Sequence, residues 1–334
     1  MYWWSGPKSS ATHLLLLVSG QALAAPAPAP APEIPALAAS VGCGRAPEEV
    51  DGGSRLYSTA AGRAYRVFLP RDYNENTPAP LILSYHGAGG VIDQQAELDR
   101  LARPEVNNDH IVVYLQGNAD DPSQPQRYTW QGAPENHSDD IGFTREVLNA
   151  VLAAYCVDPS RVYATGMSQG GGFVGRLACS AEMSARIAAY APVAGAYYQK
   201  QVDEEKECNP ATVNIDCETM RRGDRRTRVP IMAFHGGSDN IIRYEGGFRN
   251  GACLPAVKHW INRWVETEGL RGTLVNDTID GSAGGVIMRY GGGLVTLVYA
   301  GDDVGHAWMS RSNGVSNFEA SEWIMGFFRN HRLT

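Results

Sequence analysis

The feature that most constrains this chain is the pentapeptide Gly166–Met167–Ser168–Gln169–Gly170, which directly follows the β-rich run Val162–Thr165 and opens the helical pattern Gly170–Cys179. A strand that turns into a helix within so few residues leaves no room for bulky neighbours, which accounts for the glycines flanking the serine. Such a turn pushes the Ser168 hydroxyl into the open, with a helix N-terminus beneath it, as a nucleophile elbow requires. Around it, short apolar runs alternate with helical patterns. The predicted strands are Tyr65–Leu69, Leu81–Tyr85, Ile111–Leu115, Val162–Thr165, Ile187–Ala191, Ile231–Phe234 and Leu294–Tyr299. The predicted helices are Phe143–Tyr155, Gly170–Cys179, Leu254–Glu268 and Asn317–Asn330, the last with an apolar stripe of Phe318, Trp323, Ile324 and Phe327–Phe328. Most strand runs are continuously apolar, as expected for a parallel sheet covered on both faces. The order predicts an α/β fold: a mostly parallel, doubly wound sheet with helices on both faces and chemistry at the carboxyl ends of the strands.

A serine hydroxyl needs a base, and the base needs a carboxylate to orient it. Among the eight histidines, His306 in Gly305–His306–Ala307–Trp308 lies after the strand Leu294–Tyr299 and before the last helix. That is where the base of an α/β-hydrolase belongs. His86 and His235 each end an apolar strand and precede glycine, which suits shaping of the site's floor. The acid is expected at Asp239, after the strand Ile231–Phe234, with Asp302 and Asp303 as competitors on the loop of His306 itself. The order Ser168, Asp239, His306 is that of the α/β-hydrolase fold. Oxyanion donors are expected from the backbone amide of Gln169 and from the loop His86–Gly90, at Ala88 or alternatively Gly87.

Hydrophobic residues form 43% of the 334 and charged residues 19%, enough for a sizeable core. A net charge of −7 without any Lys/Arg block argues against nucleic acid or an anionic membrane as partner. Lys8, the apolar stretch Leu14–Val18 and the small-residue site Ala22–Leu23–Ala24 read as a secretory signal over residues 1–24. An alternating Ala-Pro tract makes residues 25–40 a semi-rigid tether, leaving residues 41–334 as one catalytic domain. Six cysteines behind a leader predict up to three disulfides, for which Cys208–Cys217 and Cys156–Cys179 are two pairings suggested by position. Cysteine and histidine spacings do not form a zinc site, and neither metal nor organic cofactor is expected. Sequons stand at Asn136 and Asn276.

With these residues in view, the chain resembles the feruloyl esterases related to polyhydroxybutyrate depolymerases, over about residues 41 to 330. The resemblance rests on Gly42–Cys43–Gly44, His86–Gly87–x–Gly89, Trp130–Gln131–Gly132, Asp139–Asp140–Ile141–Gly142–Phe143, Gly166–x–Ser168–x–Gly170–Gly171, His235–Gly236–x–x–Asp239, Cys253–Leu254–Pro255 and Gly305–His306–x–Trp308. It implies a secreted, extracellular enzyme, expected as a monomer, that hydrolyses ferulate esters on arabinoxylan through an acyl-enzyme. Family members often carry proline where this chain has Met309. Trp130 and Trp308 offer flat faces for an aromatic acyl group or a sugar, with simple core packing as the equally open reading for each, while Asp140 reads as a structural acid. Polyester depolymerase and acetyl xylan esterase share the triad and stand as alternatives, with a noncatalytic glycan-binding protein as the reading from another class.

Overall fold

A continuous sheet organises the chain because its inner strands are apolar on both faces. The computed structural model describes Met1 and residues 38–47, 53–120, 123–199, 201–222 and 228–333. The leader beyond Met1 and the Ala-Pro tract up to residue 37 lie outside the described residues. The unit Ala36–Thr334 holds the strands β1 (Ser54–Ser58), β2 (Ala64–Phe68), β3 (Ala79–Tyr85), β4 (Ile111–Leu115), β5 (Val157–Met167), β6 (Ala189–Val193) and β7 (Ile231–His235). It continues with the short hairpin β8 (Gly247–Arg249) and β9 (Ala252–Leu254), then β10 (Val275–Thr278), β11 (Val286–Tyr290) and β12 (Val295–Tyr299). The main sheet has ten strands in the order β1-β2-β4-β3-β5-β6-β7-β12-β11-β10, parallel from β4 to β12 and antiparallel at both edges. Every residue of β3, β4 and β6 is buried, whereas β10 is exposed along its whole length.

The helices are α1 (Ile92–Asp99), α2 (Asp140–Ala154), α3 (Gln169–Cys179), α4 (Ala181–Ser184), α5 (Glu218–Arg222), α6 (Val257–Thr267) and α7 (Ala320–Arg329). Successive strand residues point to opposite faces. Thus Leu81, Leu83 and Tyr85 join a core with α2, α3 and α6, while Ile82 joins a second core with α7. Helices therefore cover both faces, as the apolar strand runs predicted. Asp139 caps α2 by accepting the Gly142 amide at 2.8 Å, and Phe143, Val147, Leu148 and Val151 form its buried stripe.

Several boundaries differ from expectation, each for a local reason. The predicted helix Leu254–Glu268 starts only at Val257, because Pro255 forces Leu254 into the extended region and Leu254 pairs in the β8–β9 hairpin instead. Phe318 lies ahead of α7 yet stacks on Trp323 with ring centroids 4.2 Å apart. The suggested pairings Cys208–Cys217 and Cys156–Cys179 are not those formed. The bonds are Cys43–Cys156, Cys179–Cys217 and Cys208–Cys253. Cys156 is reached by the N-terminal segment, where the Ser40 hydroxyl donates to the Tyr155 carbonyl at 2.7 Å and accepts the Val157 amide at 2.9 Å. Cys217 closes on the C-terminus of α3, and Cys208 on β9. Asn136 is 7% exposed and its amide donates to Thr129 Oγ1, so that sequon is occupied by packing, whereas Asn276 is exposed on β10.

Candidate active site

β5 ends at Met167 and α3 begins at Gln169, which leaves Ser168 alone in the turn at φ 57° and ψ −119°. Side chains other than glycine rarely adopt this region, so the surroundings must hold it there. The Ser168 amide donates to the Val193 carbonyl at 3.0 Å, and its carbonyl accepts from the Gly172 and Ala196 amides at 2.9 Å each. A Cβ on Gly170 would lie 2.2 Å from the Tyr85 carbonyl oxygen and 2.5 Å from that of His86. Only glycine there lets the first turn of α3 pass under the end of β3. The Ser168 side chain is left partly exposed.

The candidate base and acid arrive from two neighbouring strands. The loop after β7 is tied to the loop after β12 by Gly237 N–H to the Gly301 carbonyl (2.8 Å) and Ser238 N–H to that of Val304 (3.0 Å). Across this seam His306 Nδ1 donates to Asp239 Oδ2 at 2.7 Å. Asp302 and Asp303 are exposed, and neither bonds His306 among the described residues. Asp239 is buried, and its Oδ1 accepts the amides of Ile241 (2.9 Å) and Ile242 (2.8 Å). His235 Nε2 lies 3.3 Å from Asp239 Oδ2 and donates to the Ile242 carbonyl at 2.7 Å, which fixes the proton on that nitrogen. Burial alone raises the Asp239 pKa. Hydrogen bonds from His235 and His306 more than reverse this and hold the carboxyl well below the usual carboxylate range. With Nδ1 on the acid, Nε2 is the ring nitrogen left to take a proton. Ser168 Oγ makes no hydrogen bond among the described residues. Nucleophile–base contacts in a free enzyme are commonly long and tighten on substrate binding.

The loop after β3 lies against the serine. A Cβ on Gly87 would stand 3.4 Å from Ser168 Cβ, and Gly90 N–H closes the turn onto the Gly87 carbonyl at 3.0 Å. The Gly89 amide donates to the Tyr128 carbonyl at 2.7 Å, while those of Ala88 and Gln169 meet no acceptor among the described residues. His86 is buried. Its Nδ1 donates to the Gly87 carbonyl at 2.7 Å, and Nε2 accepts from the Gly117 amide and Gln116 Nε2 at 2.9 Å each. Burial pushes its pKa down to about 4, so the ring stays neutral and clamps the loop.

Trp130 and Trp308 require correction as substrate-stacking residues, because each is only 1% exposed. The Trp130 indole donates to the His86 carbonyl at 2.7 Å and stacks on Phe173. The Trp308 indole donates to Ser321 Oγ at 2.9 Å. Both rings are core, and Trp130 supports the loop rather than a ligand. Asp140 is the structural acid the sequence suggested: it pairs with Arg63 at 2.6 Å and accepts the Gln131 amide at 2.5 Å. Beside the elbow, Gln169 Nε2 donates to Glu135 Oε1 at 2.8 Å, and Arg127 lies 3.4 Å from the same oxygen. No motif marks Glu135 or Arg127. The His235–Asp239 spacing was the one available signal for the second imidazole on the acid.

No established family model matches the chain. It is similar to feruloyl esterase D of Neurospora crassa, 30% identical over 262 residues that cover 73% of this chain and 76% of that protein. It is also similar to feruloyl esterase B of Piromyces equi, 31% identical over 212 residues, although the match spans only 35% of that longer protein. Among solved structures, the acetyl xylan esterase of Aspergillus awamori superposes with a TM-score of 0.57 over 83% of this chain and 98% of that one, at 14% identity. That likeness is one of fold, and it agrees with the ten-stranded, helix-covered sheet of an α/β-hydrolase. The chain belongs to the feruloyl esterase family and is a carboxylic-ester hydrolase.

Proposed function

We propose that this protein is a secreted serine esterase that hydrolyses feruloyl and related hydroxycinnamoyl esters on arabinoxylan, with Ser168, His306 and Asp239 as its triad. The observation that carries the chemistry is the 2.7 Å bond from His306 to a buried, strongly acidic Asp239, on the same sheet end as a serine held at φ 57°. Ser168 attacks the ester carbonyl while His306 Nε2 takes its proton, and Asp239 stabilises the imidazolium. His306 then gives that proton to the departing sugar oxygen as its bond to the acyl carbon breaks, and the sugar leaves as a free hydroxyl. Water activated by the same imidazole releases the free acid and restores Ser168. The amides of Gln169 and Ala88 receive the oxyanion, each worth about 3–4 kcal/mol in the transition state.

The name of the Neurospora relative supports the feruloyl group, and three disulfides suit an oxidising compartment. Residues 1–24 act as the removed leader, residues 25–40 as a tether, and residues 41–334 as a monomeric catalytic domain needing neither metal nor cofactor. Wild type and Ser168→Ala assayed on methyl ferulate, acetylated xylan and a polyhydroxybutyrate film test this reading. Ferulate release that vanishes in the variant supports it. Serine-dependent release of acetate or polyester monomer alone would move the substrate assignment, and inactivity on all three would overturn it.

A further inference from the structure

α3 borders a cavity of about 200 Å³ whose lining includes Gln169 but neither Ser168 nor His306. Its lining includes Gln169, Phe173 and Arg176 of α3 together with Gln131 and Gly132. The Arg176 guanidinium is half-buried and makes no hydrogen bond among the described residues. Burial lowers its pKa, and Asp216 opposes that only partly. Asp216 is itself ion-paired to Arg221, and Glu218, at the same end, accepts the Ala181 amide at 3.2 Å. Neither carboxylate forms an ion pair with Arg176 among the described residues.

A second donor stands nearby. Gln131 uses Oε1 to accept the Ile141 amide at 3.2 Å, while its Nε2 finds no acceptor among the described residues. Gly132, at φ +107°, makes the space for the guanidinium, since a Cβ there would lie 2.6 Å from Arg176 Nε. This gives the Trp130–Gln131–Gly132 motif a second use beyond bracing the loop after β3. Phe173, Tyr197 and Trp260 border the cavity from the core, each no more than 3% exposed. Unpartnered donors facing a cavity suit an acceptor-rich group such as a carboxylate.

We propose that this cavity is a carboxylate-binding site, in which Arg176 grips both oxygens of the carboxylate and Gln131 Nε2 donates to one of them. A planar guanidinium matches a carboxylate in this two-pronged way, which a lysine cannot reproduce. The carboxylate could come from a uronic acid on the polysaccharide or from free hydroxycinnamate. The hydroxycinnamate source rests on the feruloyl esterase reading, whereas the uronic acid source does not.

Calorimetric titration of the Ser168→Ala protein with D-glucuronate, ferulate and neutral glucose tests it without turnover. At least one carboxylate should bind saturably, glucose should not, and Arg176→Gln on the same background should weaken binding at least tenfold. Glucuronate binding alone assigns the uronic acid source, and ferulate binding sensitive to Arg176 assigns the product. Arg176→Lys keeps the charge and should fall in between. Its missing Nε–H signal identifies the Arg176 resonance, which should shift on titration in the protein with Arg176 intact. Hydrolysis of a small neutral acetate ester by the Arg176→Gln protein with Ser168 present should match wild type and reports that the fold is kept. Affinity unchanged by Arg176→Gln, an unmoved Arg176 resonance, or no saturable binding up to about 50 mM would each overturn the proposal.

Discussion

Replacing Asp239 by asparagine probes the arrangement most sharply, because the carboxylate has no spare acceptor site. Oδ2 faces His306 Nδ1 at 2.7 Å and His235 Nε2 at 3.3 Å, while Oδ1 accepts the Ile241 and Ile242 amides. An amide must turn its NH2 toward one of these donor pairs. Facing the backbone, it would confront two N–H groups that cannot move. Facing the imidazoles, it forces His306 to accept at Nδ1 and to carry its proton on Nε2, where it can no longer receive one from Ser168. The rate should then fall about 10⁴-fold in kcat, near 5.5 kcal/mol. Loss of hydrogen bonds to a charged acceptor should also lower folding stability by about 1.5–3 kcal/mol.

The pH dependence carries a sign of its own. Because the folded pKa of Asp239 lies below its unfolded value near 4, its stabilising contribution is complete above about pH 4 and is lost as the pH falls through the folded value. The asparagine variant should lack that acid limb. Burst and steady-state kinetics on methyl ferulate, with thermal melts at pH 3 to 7, measure both effects. An Asp239→Asn enzyme that keeps more than about a tenth of wild-type kcat would mean that His306 does not depend on Asp239 for its tautomer.

His86 should contribute an acid sensitivity at higher pH. A drop from 6.5 to about 4 corresponds to roughly 3 kcal/mol of stability, lost as the pH falls from about 6.5 toward 4, and a non-titrating residue at 86 should flatten that slope in thermal melts. Asp99, pushed up to about 6 mainly by burial, has the opposite sign: its ionisation removes stability as the pH rises from about 4 to 6, which an NMR titration of its carboxyl carbon would show. Replacing Cys43 and Cys156 together should destabilise by about 2–5 kcal/mol in denaturant melts, with catalysis at the distant elbow retained. Trp130→Ala should cost about 3–5 kcal/mol of stability and lower kcat through the loop it braces, whereas a stacking role would raise KM alone.

The elbow was legible in the sequence because its chemistry is local: two glycines, a serine and the switch from strand to helix all lie within five residues. The candidates Asp239 and His306 were legible by position, each following a strand that ends on the same side of the sheet as the elbow, although β6 separates β7 from β5. What decided Asp239 over Asp302 and Asp303 was the sheet order, which brings β7 next to β12. The disulfides were not readable, because proximity in sequence does not report which loops a tertiary fold brings together. Cys156 bonds across 113 residues to Cys43. Nor could residue type distinguish a tryptophan facing a ligand from one facing the core. The edge strand β10 and the polar helix α1 escaped notice because neither presents an apolar period. Glu135 and Arg176 went unnoticed for a related reason: a single charged residue carries no pattern until its neighbours are placed.

The most direct measurement is mass analysis of protein quenched during steady-state hydrolysis of methyl ferulate, with the modified peptide mapped. The account predicts a feruloyl ester on Ser168 that accumulates when water is scarce and is absent in Ser168→Ala, which should not turn over. Turnover persisting in Ser168→Ala, or a feruloyl adduct mapped to any other residue, would contradict it.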